Sequence, residues 1–234
     1  MLVSNIAAIR DMVVVVVGVW PEIDPSTGNT TIAGSAYGTA CYVGNDLFLT
    51  AAHLFDPPKP GEQYLLLRMP TNGSNVQTVH VNASVDVALG TDLDLAIMRA
   101  PGTGTSLPAA TVDSGDLPDG RSVFSYGYPN PMMTFTPQGP VMDLWARACP
   151  SIISAHIPLA GGKYLMEGST YPGESGSPVF RCSDNALVAV VQATRIMTAP
   201  IPHAPGGQVR GPTIAGPLAA IAGELASRGV KLLA

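Results

Sequence analysis

Residues 171–179 of the chain read YPGESGSPV, a tight turn of glycine and serine that runs into an apolar stretch. Ser175 lies two residues after Gly173 and directly before Gly176. Such a turn can expose a hydroxyl and point backbone N–H groups at one spot, and a nucleophilic serine needs both. Because glycine-rich turns that contain serine are common, the meaning of Ser175 depends on the residues upstream.

Two residues earlier in the chain are suited to activate this serine. A serine hydroxyl needs a base, usually histidine, and that base is oriented by a carboxylate. His53 closes the run DLFLTAAH at residues 46–53, an apolar strand whose small last residues leave room for an imidazole. Asp94 precedes the apolar run LAIM, so we expect it to be partly buried and to need a partner. His53 and Asp94 are therefore the candidate base and orienting carboxylate.

Each candidate has rivals in the chain. Asp92 lies two residues before Asp94, on the same face of a strand. Ser177 and Ser169 compete with Ser175. Only Ser175 has glycine both two residues before it and directly after it. The other histidines are expected to be ordinary: His80 and His156 in strand-like runs, and His203 in a proline-rich loop.

With these residues the chain resembles the trypsin/chymotrypsin-like serine endopeptidases. Three motifs follow the family order of His, Asp and Ser: TAAH at 50–53, DLAI at 94–97 and GESGSP at 173–178. The gaps of 41 and 81 residues between His53, Asp94 and Ser175 suit a small member. Ser177 and the segment GTACYVG at 38–44 look closer to the bacterial glutamyl-endopeptidase-like or viral branch than to animal trypsins.

The resemblance implies an all-β fold of two six-stranded antiparallel Greek-key barrels with a short C-terminal helix. The first barrel, residues 1–104, would carry His53 and Asp94, and the second, residues 105–234, would carry Ser175 and the helix. The family mechanism makes these three residues the catalytic triad and the backbone N–H groups of Gly173 and Ser175 the oxyanion hole. It needs a polypeptide substrate and no metal or organic cofactor.

The resemblance also implies a pocket for P1, the substrate residue on the acyl side of the cleaved bond. Its lining is Ser169, Thr170, Pro172, Val191, Gln192, Ala193 and Thr194. The bottom of this pocket has no acidic residue that would bind a Lys or Arg side chain at P1. The histidine that glutamyl-specific enzymes place near Val191 is also missing, which argues against Glu at P1. By the resemblance, Thr194 stands at the pocket mouth, where its β-branched side chain would narrow the opening, so we predict small or medium apolar P1 residues.

Glu174 stands where trypsin has an aspartate that pairs with a freshly cut N-terminus. The chain opens MLVS, without an obvious activation site. We therefore expect activity that does not depend on N-terminal processing.

Composition limits the classes of partner. Charged residues make up 12% of the chain, about half the share of an average soluble domain, and the net charge is −5. No basic stripe exists, which argues against nucleic acid as a partner. No apolar run reaches the length of a membrane span.

The run from Met12 to Trp20 is interpreted as a strand rather than a signal peptide, because Asp11 cancels Arg10 and no small-residue cleavage site follows. The compartment, including a mature secreted form, and the oligomeric state stay open.

The 25 glycines and 22 prolines favour many turns and few helices. Apolar and β-branched runs predict the strands 12–20, 35–44, 46–52, 64–69, 77–81, 84–89 and 95–99 for the first barrel, with residues 100–118 as the connection. For the second barrel they predict 122–126, 142–149, 163–167, 178–182, 186–194 and 207–213. A helix is predicted from Pro217 to Arg228, with Leu218, Ile221, Ala222 and Leu225 on its apolar face.

The three cysteines leave at least one thiol outside any intrachain bridge. Cys149 and Cys182 could pair, but free and mostly buried thiols are favoured for these two and Cys41. No Cys and His spacing indicates a zinc site.

Three alternatives compete with a serine endopeptidase of ordinary specificity. An inactive homologue would bind peptides or partners through the same cleft. A viral or polyprotein-processing protease would have a very narrow specificity. An α/β-hydrolase esterase fits least, because its triad runs in the order Ser, acid, His.

Overall fold

The computed structural model describes residues 2–69, 76–89, 92–103, 107–136, 139–157, 162–198 and 208–233. Strands dominate these residues. In chain order they are β1 (Val13–Ile23), β2 (Thr30–Gly44), β3 (Leu47–Thr50), β4 (Gln63–Arg68), β5 (Gln77–Leu89), β6 (Leu95–Arg99), β7 (Val112–Asp113), β8 (Ser122–Gly127), β9 (Met132–Thr136), β10 (Gly139–Asp143), β11 (Arg147–Ile157), β12 (Lys163–Met166), β13 (Pro178–Arg181), β14 (Leu187–Thr198), β15 (Gln208–Pro217) and β16 (Leu232–Leu233). The α-helices are α1 (Leu2–Arg10) and α2 (Ala222–Ser227), and 3₁₀ helices cover Ala52–Phe55 and Leu218–Ile221.

The first six strands close into one barrel in the order β1-β2-β3-β6-β5-β4. The closing pair, β1 with β4, is antiparallel and places Val16 opposite Leu66. A tight turn joins β2 to β3, and its residues Gly44, Asn45 and Asp46 all have positive φ. Glycine, asparagine and aspartate are the residues that tolerate this backbone conformation best. Because β2 and β3 pair antiparallel on either side of the turn, the hairpin predicted here is confirmed.

The second barrel contains β13, β8, β11, β12, β15 and β14 in that order, and the pairing of β13 with β14 closes it. Two short strands, β7 and β16, extend this sheet in parallel beside β14. The hairpin β9–β10 stands apart as its own two-stranded sheet. The predicted fold of two six-stranded antiparallel barrels with a short C-terminal helix is confirmed.

A continuous valine run in β1 shows how the two barrels share their cores. Strand side chains alternate between two faces, so a half-exposed strand would alternate apolar and polar residues. Val13 to Val17 are all 0% exposed instead. Val14 and Val16 pack with Phe48 and Met98 inside the first barrel. Val13, Val15 and Val17 belong to a second cluster that includes the second-barrel residues Phe124, Tyr126 and Tyr128. Both faces of β1 are thus covered, one by its own barrel and one by the neighbouring barrel.

Several predicted element boundaries were wrong. The predicted strands 77–81 and 84–89 form the single strand β5, which passes through an irregular point at Asn82 with a φ of 61°. The predicted strand 142–149 is interrupted between β10 and β11, where Trp145 is 68% exposed. The strand β9, which pairs with β10, lay outside the predicted strands.

The N-terminal helix α1 was also absent from the sequence interpretation, which assigned no element to residues 2–10. Ile9 is 1% exposed in the cluster between the barrels, and the Arg10 Nε donates to the Tyr126 hydroxyl at 3.3 Å. The helix is therefore held by the second barrel rather than by a strong pattern of its own. No helix among the described residues is long and apolar enough to span a bilayer.

The C-terminal helix was predicted correctly in place and in its buried face. Its first turn is the 3₁₀ helix Leu218–Ile221, and α2 follows directly. Leu218, Ile221 and Leu225 are buried. The Asn45 side-chain amide donates to the Gly229 carbonyl at 2.6 Å, which fastens the end of this helix to the first barrel.

All three cysteines are free, as favoured from the sequence. Cys41 is fully buried, and this burial raises the pKa of its thiol. Cys149 and Cys182 are only half-buried, so the expectation of mostly buried thiols holds best for Cys41. Burial also raises the pKa of the Cys182 thiol.

Candidate active site

Strand pairing brings His53 and Asp94 together. β3 and β6 run antiparallel, with Thr50 opposite Ala96. The 3₁₀ helix Ala52–Phe55 follows the end of β3, and Asp94 directly precedes β6. Both side chains therefore stand at the same edge of the first barrel, although 41 positions separate them in the chain.

The two side chains make a close and oriented contact. His53 Nδ1 lies 2.8 Å from Asp94 Oδ2 and 3.1 Å from Oδ1, and the backbone N–H of His53 donates to Oδ1 at 2.9 Å. A carboxylate can only accept, so in the neutral imidazole Nδ1 carries the proton and Nε2 has the lone pair. The imidazole is 45% exposed and the carboxylate 17%. The arrangement leaves Nε2 as the nitrogen that can take a proton.

The backbone that carries Asp94 is supported by the second barrel. Asp94 has a φ of 47°, in the left-handed region that aspartate tolerates better than most residues. The buried side-chain amide of Gln192 donates to the carbonyl oxygens of Leu93 and Asp94. Lys163 Nζ in turn donates to Gln192 Oε1 at 2.7 Å. Gln192 thus joins the two barrels behind the carboxylate.

The turn that carries Ser175 is held by Thr39 of the first barrel. The Thr39 N–H donates to the Ser175 carbonyl at 2.8 Å, and Thr39 Oγ1 donates to the Gly173 carbonyl at 3.1 Å. Gly176 has a φ of 84°, and a Cβ there would collide with the Thr39 carbonyl oxygen. Only glycine combines this backbone conformation with so close an approach of the two barrels.

The hydroxyl of Ser175 shares a cavity with the imidazole of His53. The cavity holds about 470 Å³, and its walls also include Tyr37, Leu54 and residues 56–60. Ser175 Oγ donates to the Gln192 carbonyl at 3.3 Å. Burial, together with a hydrogen bond to Glu62, raises the pKa of Tyr37, so the phenol on the cavity wall is neutral.

Two backbone amides beside this hydroxyl are available to a ligand. The Pro172 carbonyl accepts the Asn130 N–H at 2.6 Å. Because the peptide bond is trans, the Gly173 N–H points to the opposite side. Within the described ranges, neither this N–H nor that of Ser175 donates to a protein acceptor. A positive φ of 88° and the ring of Pro131 leave no room for a side chain at Gly173.

The rivals of the candidate residues are placed elsewhere. Ser177 is 0% exposed, and its hydroxyl is buried against Gly127. Ser169 is half-buried and does not line the cavity with His53. Asp92 is exposed, while Asp94 contacts the imidazole. Among the other histidines, His156 lies in β11 and pairs with Asp119 at 2.7 Å, His80 lies in β5, and His203 lies outside the described residues.

A family model described as "Trypsin-like peptidase domain" matches residues 38–190. The chain belongs to the trypsin-like peptidase family. The matched range contains His53, Asp94 and Ser175, the residues on which the resemblance in the sequence was based. No curated protein sequence matches the chain. The closer kinship to a bacterial glutamyl-endopeptidase-like or viral branch stays a prediction.

Solved structures of proteases share this trypsin-like fold. The HtrA-type protease AlgW with a decapeptide superimposes with a TM-score of 0.69 at 16% identity, covering 97% of this chain and 67% of AlgW. The active form of the Rv3671c protease from M. tuberculosis gives a TM-score of 0.59 at 19% identity, covering 100% of this chain and 88% of that one. At such identities the likeness establishes the fold and leaves specificity to the residues of this chain.

A second cavity of the trypsin-like domain, of about 650 Å³, is also lined by His53. Its lining is Ala52, His53, Phe55, Asp56, Ala88, Asp94, Lys163, Gln192, Ala193 and Ile214. Of the predicted substrate-binding residues, Gln192 and Ala193 belong to it. Five further lining residues were not among those predicted from the sequence: Phe55, Asp56, Ala88, Lys163 and Ile214.

The remaining predicted pocket residues are distributed differently. Val191 is 1% exposed and packs in the interior of the second barrel. Thr170 is buried, Ser169 is half-buried and Pro172 is exposed. None of these four is part of the described lining of the cavity beside Gln192. The side chain of Thr194 lies outside the described part of the chain, and the pocket assignment stays a prediction.

Proposed function

We propose that this trypsin-like domain is a serine endopeptidase that hydrolyses peptide bonds through His53, Asp94 and Ser175 by way of an acyl-enzyme. The observation that carries the proposal is the oriented imidazole: Asp94 accepts from Nδ1 at 2.8 Å, and the ring shares a cavity with the Ser175 hydroxyl. A base with a fixed tautomer beside an accessible hydroxyl is what nucleophilic catalysis by serine requires.

In the first step, Ser175 Oγ forms a bond to the peptide carbonyl carbon while its proton passes to His53 Nε2. The hydroxyl must first turn from the Gln192 carbonyl toward the imidazole, and in structures without substrate such hydrogen bonds are often not yet formed. The carbonyl π pair moves onto oxygen. His53 then gives its proton to the leaving amine as the C–N bond breaks, which leaves the acyl group on Oγ.

Water completes the cycle by the same route. His53 takes a proton from water, the hydroxide adds to the acyl carbon, and the Ser175 Oγ leaves with the proton returned by the imidazole. Asp94 keeps its negative charge throughout and stabilises the imidazolium. Every proton and electron pair is thus accounted for by these three residues, the substrate and one water.

The negative oxygen of each tetrahedral intermediate would be bound by the N–H groups of Gly173 and Ser175. The orientation of the Pro172–Gly173 peptide, fixed by the Asn130 hydrogen bond, supports this assignment. Losing one such donor costs about 3 kcal/mol of transition-state stabilisation in related sites.

The test of this proposal is covalent labelling with a fluorophosphonate, which reacts with an activated serine. We expect mass spectrometry to map the label to Ser175, and we expect His53→Ala to abolish labelling because the base is lost. A folded wild-type protein that takes no label, or a label on another serine, would contradict the proposal.

One observation favours a second candidate function, an inactive homologue that binds peptides in the same cleft. Ser175 Oγ hydrogen-bonds the Gln192 carbonyl in this structure. If that bond persists with substrate, the hydroxyl is not deprotonated. A protein that takes no label but still binds a peptide would support the inactive peptide-binding homologue instead of the peptidase. Labelled protein that leaves general substrates uncut would instead indicate a narrow-specificity processing protease.

For the P1 residue we propose a small or medium apolar side chain, based on the resemblance and on Thr194. A peptide library should show cleavage after residues such as Ala or Val. The variant Thr194→Gly should extend cleavage to larger P1 residues, because it removes the β-branched side chain from the expected pocket mouth. A wild-type library dominated by Phe, Arg or Glu at P1 would contradict this specificity.

A further inference from the structure

The residue directly before Ser175 is a buried acid. Glu174 is 2% exposed, and its Oε2 accepts the backbone N–H of Tyr171 at 2.6 Å. The Glu174 N–H donates to the Tyr171 carbonyl at 3.0 Å. The carboxylate therefore closes, together with the backbone, the four-residue turn that contains Gly173 and leads into Ser175.

A cation from another strand reaches this carboxylate. Arg147 is the first residue of β11, and its Nη1 lies 3.7 Å from Glu174 Oε2. Its guanidinium stacks over the Tyr171 ring at 4.8 Å from the ring centre. The Nη1 atom is buried and makes no hydrogen bond within the described residues. Its Nη2 donates to Cys149 Sγ at 3.3 Å. Arg147 therefore interacts with Glu174 chiefly through charge, from a position held by the aromatic ring and by this sulfur contact.

We propose that Arg147 is a positioning residue, whose charge keeps the Glu174 carboxylate inside the protein so that the turn holds the Gly173 and Ser175 N–H groups in place. The inference rests on the proposed serine peptidase function and names what keeps that site assembled. A carboxylate is costly to bury without a compensating positive charge. Without Arg147, the ionised Glu174 would either stay buried, where its negative charge opposes the developing oxyanion, or turn out to water and release the Tyr171 N–H.

The charge relation can be tested separately from packing by a double variant. Arg147→Ala should lower kcat by about 100-fold with little change in KM, because small displacements of catalytic groups are that costly. Adding Glu174→Gln to this variant should restore kcat at least about tenfold, since the neutral amide oxygen can still accept the Tyr171 N–H and needs no counter-charge. Arg121→Ala is the matched control: Arg121 is exposed and lies toward the Arg181 end of β13, away from Ser175, so it should keep wild-type kinetics.

A second measurement does not depend on activity. Hydrogen exchange at the Tyr171 amide should be faster in Arg147→Ala and return toward the wild-type rate in the double variant. A double variant as impaired as Arg147→Ala, or unable to fold, would overturn the proposal, as would wild-type exchange and turnover in Arg147→Ala. If the wild-type protein itself neither labels nor cleaves, the proposed function fails, while the exchange rates still decide the role of Arg147.

Discussion

Ser175→Ala is expected to lower the turnover of a cleaved peptide by about 10⁶-fold, the size of loss seen when the nucleophile of a serine peptidase is removed. The hydroxyl oxygen is the atom that bonds the substrate, and nothing else in the cavity can replace it. Its contribution to the fold is small, because its Oγ makes one long hydrogen bond of 3.3 Å to Gln192. The thermal midpoint should therefore stay close to that of the wild-type protein while single-turnover cleavage disappears.

The neighbouring serine provides the matched control. Ser177 Oγ is buried and has no hydrogen-bond partner among the described residues, so replacing it with alanine removes no hydrogen bond. Ser177→Ala should keep both fluorophosphonate labelling and turnover. A Ser175→Ala protein that cleaves within tenfold of the wild-type rate, or a Ser177→Ala protein that loses cleavage while folded, would show that the nucleophile has been assigned to the wrong serine.

Asp94→Asn is expected to lower kcat by about 10⁴-fold, the loss found in related triads when the carboxylate becomes an amide. Asp94 accepts both the His53 backbone N–H and the Nδ1–H. An asparagine has one oxygen, and once it accepts the backbone N–H, its NH₂ group faces Nδ1. The imidazole would then move its proton to Nε2, where it can no longer accept the proton of Ser175. Steady-state kinetics should show the loss in kcat rather than in KM.

Asp92 offers the control for this variant. It is exposed and was the sequence rival of Asp94, so Asp92→Asn should retain wild-type turnover. Equal losses in the two variants would indicate a general charge effect instead of a fixed tautomer. A fully active Asp94→Asn would remove the carboxylate from the mechanism.

The candidate site was largely predictable because each of its motifs is local. His53 lies in the 3₁₀ helix that follows a buried strand, Asp94 directly precedes another strand, and Ser175 lies in a glycine-bounded turn. These local signals give the residue types and their order in the chain. Because that order matches the family order of His, Asp and Ser, the three residues could be assigned to one site. Thr39 and Arg147 carried no comparable signal. Thr39 binds the Gly173 carbonyl across 134 positions, and Arg147 reaches Glu174 from another strand. Such contacts depend on how strands pair and barrels dock.

The fold also divides into features that local sequence predicts and features that depend on distant contacts. The hairpin at Gly44–Asp46 and the apolar face of the C-terminal helix follow from backbone preferences and from periodicity, which short segments express by themselves. The break before Arg147 and the helix Leu2–Arg10 do not, because exposure of Trp145 and burial of Ile9 are decided by neighbouring elements.

The sequence by itself therefore determined the two-barrel class, the order of His53, Asp94 and Ser175, and the turn that presents the serine. Only the tertiary structure decided which side chains orient and support them: the Gln192 amide behind Asp94, the Thr39 hydrogen bonds to the serine turn and Arg147 beside Glu174. The physical reason is distance. Local conformation depends on neighbours in the chain, whereas the charges and hydrogen bonds that support this site come from strands far apart in sequence, brought together by burial of the apolar faces between two barrels.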